Sequence, residues 1–202
     1  QAALELGLCH YVPTIEEAWR AVGVFPPEVT PGLFVIDQDT IWADTVTLTH
    51  DIVEVTDGVT LTLAPGSVVN IPTGSTFRIS GVLKADSAVF HTAPFRANLR
   101  VPGFLNAKNT LFTIRPNPAC DTANAPQNAA VEYGDLWAGV KVEHSGFVKL
   151  DGSTIEYARE GIHADSIGIG LADTLLAVKG VMFKNNINGI SLDIGHDVGV
   201  VR

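Results

Sequence analysis

Between Gly81 and Ile114 the chain repeats one phrase at an offset of 22 residues, and no other feature narrows its possible folds as much. Gly81-Val82-Leu83-Lys84-Ala85 leads into Val89-Phe90, and Gly103-Phe104-Leu105-Asn106-Ala107 leads into Leu111-Phe112. Gly146-Phe147-Val148-Lys149-Leu150, running into Thr154-Ile155, is a third copy. A fourth, Thr174-Leu175-Leu176-Ala177-Val178 running into Met182-Phe183, follows 28 residues later. Ile155, Gly161, Ile162 and Asp165 likewise stand 28 residues before Phe183, Gly189, Ile190 and Asp193. A unit this short cannot bury its own apolar face, so its copies must stack on one another. The unit holds strand-sized apolar runs separated by Gly, Asn and Asp turns, with no helical period inside it. The pattern predicts an all-β solenoid, a single-stranded parallel β-helix over residues 33–202 with roughly seven or eight coils. Its interior is expected to hold Val82, Leu83, Phe90, Phe104, Leu105, Phe112, Val148, Leu150, Ile155, Leu176, Val178 and Phe183.

A hydrophobic content of 46% over 202 residues is enough for a sizeable core. With a net charge of −9 and no Lys/Arg cluster, the chain lacks the basic footprint that nucleic acid or an anionic membrane surface requires. No apolar run reaches the roughly 18–20 residues of a spanning helix, so no membrane insertion is expected. The sequence opens at Gln1 without Met or an apolar leader, as a mature secreted protein or a trimmed chain would. The expected location is secreted, extracellular or at the cell surface.

Residues 1–32 differ from the rest and read as an N-terminal cap segment. Thr14 with Glu17 makes a capping box, Ile15, Ala18, Trp19 and Val22 form one apolar stripe, and Gly23 ends the run. A short amphipathic capping helix over 14–22 follows, laid on the first coil so that Trp19 serves the core. Pro26-Pro27 and Pro31-Gly32 then break the chain. After them come strand signals at Leu33–Ile36, Thr45–Thr49, Ile52–Val55, Val59–Leu63, Ser67–Ile71 and Thr76–Ile79, separated by Asp-Gly, Pro-Gly and Thr-Gly turns. Residues 115–133, rich in Pro, Asn and Ala, read as a loop projecting from the solenoid. The two cysteines, Cys9 and Cys120, sit in the two non-repeating segments. A disulfide is expected, within the chain or between neighbours, with free thiols as the alternative.

His50-Asp51-Ile52-Val53-Glu54-Val55, Gly58 to Val69 and Ser80-Gly81-Val82-Leu83-Lys84-Ala85 resemble the opening coils of secreted bacterial and archaeal parallel β-helix proteins of the pectin-lyase-like kind. Trp137-Ala138-Gly139-Val140, Ser153 to Ala158 and Asn185-Asn186 before Gly189-Ile190 resemble their later coils. The resemblance runs from about residue 40 to the end and implies a right-handed coil. It says little about activity, because lyases, hydrolases, adhesins and passive surface proteins share the fold.

Glycan-cleaving chemistry needs carboxylates, or a calcium-supported base with Arg or Lys, on one exposed sheet face. Lys141, Glu143, His144, Arg159, Glu160, His163 and Asp165 come from two neighbouring coils that could present such a face. The catalytic candidates are therefore Glu143, Arg159, Glu160, His163 and Asp165, although none falls in a lyase or hydrolase signature. His144 and His163 lack further ligands at zinc-site spacing, so no metal site is expected. No cofactor is expected either, calcium being the one ion that polysaccharide chemistry would add. Thr45, Thr47, Thr49, Thr60 and Thr62 form a Thr-x-Thr series like those of flat ice-binding faces, but threonine is also an ordinary strand former.

The last residues carry an alternating strand-like run, Val198, Val200 and Val201, with nothing polar after it but Arg202. Such an edge is expected to be covered by further chain or by another copy, head to tail. Two function classes follow. One is a non-catalytic extracellular structural or adhesive protein that self-associates into a surface layer, sheath or filament. The other is a carbohydrate-active β-helix enzyme, a polysaccharide lyase or glycoside hydrolase, or a polysaccharide-binding module. The first accounts for the bare edge and the missing catalytic signature, and is preferred.

Overall fold

A computed structural model of the chain describes residues 30–93, 97–114, 136–143, 145–167 and 176–194. Within them the chain winds through three strands per turn. The first coil is β1 (Thr30–Ile36), β2 (Thr40–Trp42) and β3 (Thr45–Thr47); the second is β4 (His50–Val55), β5 (Thr60–Leu63) and β6 (Val68–Ile71). The third is β7 (Thr76–Ile79), β8 (Val82–Asp86) and β9 (Val89–Thr92), and the fourth β10 (Asn98–Val101), β11 (Phe104–Lys108) and β12 (Leu111–Ile114). The fifth is β13 (Val140–Val142), β14 (Phe147–Asp151) and β15 (Thr154–Glu156), and the sixth β16 (Glu160–Ile167), β17 (Leu176–Lys179) and β18 (Met182–Lys184). β19 (Asn188–Ile194) opens a seventh. Each strand pairs in parallel with its counterpart three strands on, giving sheet A (β1-β4-β7-β10-β13-β16-β19), sheet B (β2-β5-β8-β11-β14-β17) and sheet C (β3-β6-β9-β12-β15-β18). This is the parallel β-helix that the repeats require, with six complete coils and the opening strand of a seventh among the described residues.

The repeated phrase is the sheet B strand of successive coils. Leu83 pairs with Leu105, Leu105 with Val148, and Val148 with Leu176. Because side chains alternate across a strand, only every second residue of each phrase can point inward. Leu83, Leu105, Val148 and Leu150 are fully buried, with Phe90, Phe112 and Ile155 from sheet C. Val82 and Phe104, expected inside, belong instead to the outward column of sheet B and are half-buried; Phe104 stacks on Phe147 there at 5.2 Å. Inside, Phe90 and Phe112 stack at 4.8 Å and Trp42 and Phe77 at 5.9 Å.

The corners explain the glycines. Gly81, Gly103 and Gly146 open the sheet B strands, and a Cβ on any of them would collide with backbone carbonyls of the coil before: Thr56 and Val59 for Gly81, Ser80 and Gly81 for Gly103, Val101 for Gly146. The close approach lets Phe104 N–H bond the Gly81 carbonyl and Phe147 N–H the Gly103 carbonyl, both at 2.8 Å. The corner from sheet B to sheet C turns on single left-handed residues, Ser87 (φ 54), Asn109 (φ 49), Gly152 (φ 59) and Gly180 (φ 60). Ser153 and Thr110 beside them are buried, with hydroxyls bonded to nearby carbonyls.

Leu105 pairs with Val148 across 43 residues where the previous step spans 22, so the register resumes intact on both sides of residues 115–135. That segment, with the expected projecting loop at 115–133, lies outside the described residues. So do residues 1–29 of the expected cap segment with its helix 14–22, the pair Cys9 and Cys120, His144, and the edge residues Val198, Val200 and Val201, while Thr30 to Gly32, read as part of the cap, begin β1. No helix occurs among the described residues, hence none long and apolar enough to cross a membrane. The threonine series divides between sheets, Thr45 and Thr47 on C and Thr60 and Thr62 on B, so it does not form one flat face.

Candidate functional site

The outer face of sheet A gathers the charges. In-register pairing places Glu54, Arg78, Arg100, Lys141, His163 and Ser191 in one outward column across six coils. Two residues further along the chain from Lys141, His163 and Ser191 stand Glu143, just past β13, Asp165 and Asp193. Stacking at about 4.8 Å would set the three successive cations against one another, and the acids relieve this. Arg78 lies 3.6 Å from Glu54 and 3.7 Å from Glu143, Arg100 lies 3.4 Å from Glu143, and Lys141 Nζ lies 2.7 Å from Asp165 Oδ2. Exposed pairs of this sort contribute at most about 1 kcal/mol each. Their effect is to fix a line of oriented polar groups rather than to hold the fold.

Around His163 the acids close in. Its Nε2 lies 2.7 Å from Asp165 Oδ1 and 3.6 Å from Asp193 Oδ2. Glu160 Oε2 is 2.9 Å from Nδ1 but out of line for a hydrogen bond, which leaves that buried nitrogen without a hydrogen-bond partner. The hydrogen bond from Lys141 holds the Asp165 carboxyl below its ordinary value of 3.8; burial opposes the shift, and His163 adds to it. A carboxylate depressed in the folded state stabilises the fold above its unfolded pKa and loses that contribution as pH falls through the folded value. Lys141→Met is therefore expected to raise the Asp165 titration midpoint, read by carbon-13 carboxyl shifts, and to make acid unfolding less dependent on this group. An unchanged midpoint would show that Lys141 does not control it.

Of the sequence candidates, the fold brings Glu160, His163 and Asp165 together. It directs Glu143 to the preceding coils, between two guanidinium groups. Arg159 sits at the corner entering β16, where its N–H bonds the Trp137 carbonyl and its carbonyl accepts from Asn188. Sequence reasoning omitted Asp193 from the site, although the 28-residue offset that aligns it with Asp165 was visible. The arrangement can do two things: present a line of cations flanked by acids along the coils, and converge one imidazole and two carboxylates on a point. Comparison of the chain with protein-family descriptions, with curated proteins and with solved structures finds no match, so its fold rests on its own strand pairing.

Proposed function

We propose that the protein is a non-catalytic extracellular structural or adhesive element that joins copies of itself end to end, into a surface layer, sheath or filament. The observation carrying this reading is the exposure of inward-facing apolar side chains at both ends of the described coils. Leu150, Ile162 and Ala164 are buried, yet their column neighbours in the terminal strands, Val178 on β17 and Ile190 and Leu192 on β19, are 40%, 40% and 48% exposed. At the other end Val53 is buried and its neighbour Phe34 is 48% exposed. The strands there, β1 to β3 at one end and β17 to β19 at the other, are the terminal strands of all three sheets. Apolar side chains and strand edges of this kind are a template for further pairing by whatever chain adjoins them, and a second copy is the partner proposed. Since the strands are parallel, the two ends are unlike, and association through them is head to tail. The extracellular setting rests on the resemblance in sequence.

Sedimentation velocity across a concentration series tests the proposal. Wild-type protein is expected to shift to larger species with concentration, and Leu192→Lys, which sets a charge on the exposed end, to reduce the association at least tenfold. Monomer at every concentration, unaltered by Leu192→Lys, would overturn it. The charged column of sheet A supports a second reading, a polysaccharide-binding face. Saturable binding of a soluble polysaccharide that is lost in Arg100→Ala, with no self-association, would favour that reading.

A further inference from the structure

We infer that His163, Asp165 and Asp193 form a binding site for a divalent first-row transition ion, with zinc as its natural probe. The three come from two adjacent coils, and their nearest ligand atoms all lie within 4.8 Å of one another. Strand geometry produces this convergence. His163 and Asp165 are two apart on β16 and so share the outer face, while pairing of Ala164 with Leu192 brings the next residue of β19, Asp193, alongside Asp165.

Three further features distinguish the cluster from a chance group of surface acids. The imidazole presents Nε2, not Nδ1, to the two aspartates. Nδ1 faces Glu160 at 2.9 Å without a formed hydrogen bond. When a cation takes Nε2, the proton of the imidazole must reside on Nδ1, and Glu160 stands near enough to accept a hydrogen bond from it after a small rotation, as in carboxylate–histidine–metal arrangements. Lys141 engages Oδ2 of Asp165, leaving Oδ1 directed at His163. Finally, Glu160, Asp165 and Asp193 surround the ring and Lys141 pairs with Asp165, leaving carboxylate charge around the imidazole that a dication would neutralise.

One imidazole nitrogen and two carboxylate oxygens suit zinc, manganese, cobalt or nickel. Calcium and magnesium prefer all-oxygen shells, with more ligands for calcium and an octahedron for magnesium. With three protein ligands, water would fill the remaining positions. On binding, an imidazolium ring releases its Nε2 proton to solvent and keeps the one on Nδ1, or the ring enters as the neutral tautomer already protonated at Nδ1, and the Nε2 lone pair forms the nitrogen–metal bond. The aspartates bind as carboxylates, and no electron is transferred.

Isothermal titration of chelator-treated full-length protein with zinc chloride tests the site, with cobalt(II) absorption as the spectroscopic probe. One equivalent of zinc is expected to bind with micromolar affinity, and cobalt to give the visible bands of a nitrogen–oxygen ligand set. Asp193→Asn should weaken zinc binding at least tenfold; this side chain is 68% exposed, so the circular dichroism and melting temperature should not change. His163→Gln should abolish binding, and Glu160→Gln should weaken it about 10–100-fold. Absence of saturable zinc binding would overturn the inference. So would equal binding by wild type and Asp193→Asn, which would place the ion elsewhere, or calcium binding more tightly than zinc.

Discussion

Phe112→Ala is expected to lower the unfolding free energy by about 3–5 kcal/mol, the range for emptying a buried aromatic site. Phe112 is wholly inaccessible, pairs with Phe90 in one neighbouring coil and Ile155 in the other, and stacks on Phe90 at 4.8 Å with the rings 8° from parallel. Truncation would leave a void bounded by two coils, and backbone pairing on both sides prevents those coils from collapsing into it. The aromatic contact with Phe90 would be lost as well. Solenoid stability is close to a sum over repeats and their interfaces, so the damage should centre on the third to fifth coils. Urea denaturation followed by hydrogen exchange would read both size and location. A loss below about 1 kcal/mol would mean that the interior is far looser than its burial implies.

Gly146→Ala should be comparably damaging for a different reason. The added Cβ would occupy the space of the Val101 carbonyl oxygen, which accepts the Glu143 N–H at 3.1 Å, so relief of the clash requires a coil to move and strains that bond. Overpacking against backbone costs about 1–3 kcal/mol and sometimes more, and the upper end is expected where no flexible side chain can yield. Gly180→Ala supplies the comparison. Gly180 is left-handed (φ +60), but a Cβ there would approach nothing closer than 3.8 Å. Its substitution should cost only the left-handed penalty of about 1–2 kcal/mol. Thermal denaturation should rank Gly146→Ala below Gly180→Ala; the reverse order would mean that close coil approach is not what selects glycine at the repeat.

The architecture was legible because repetition and alternation are both local signals. The phrase at Gly81, Gly103 and Gly146 marks the same corner in three coils, and its offsets give the register directly. What repetition does not reveal is which of two adjacent apolar residues faces inward. Val82 and Phe104 were both apolar and both outward, because the half-buried sheet B face accommodates them in a column with Phe147. β2 went unread since three residues, Thr40 to Trp42, are too few to show a period, and Ile41 on that strand is 71% exposed. The charged cluster was half legible: residues two apart on one strand, His163 and Asp165, are obvious partners. Asp193 becomes a partner only when the coil-to-coil register is known. Glu143 lies on the neighbouring coil, as its sequence position implies, but Arg78 and Arg100 claim it there.

Crosslinking between ends tests the assembly most directly. On sheet C an outward column runs through Thr45, Val68, Val89, Leu111, Thr154 and Met182. If the coils of one molecule abut those of another with no other segment between them, Thr45 of the second would follow Met182 of the first at about one strand spacing, 4.8 Å, within the Cα separation that a disulfide spans. Thr45→Cys and Met182→Cys proteins, each carrying a different isotope label and mixed under mild oxidation, are predicted to yield a 45–182 linked peptide by mass spectrometry. Links of 45 to 45 or 182 to 182, or no link between the two variants at the highest soluble concentration, would contradict head-to-tail continuation of the β-helix.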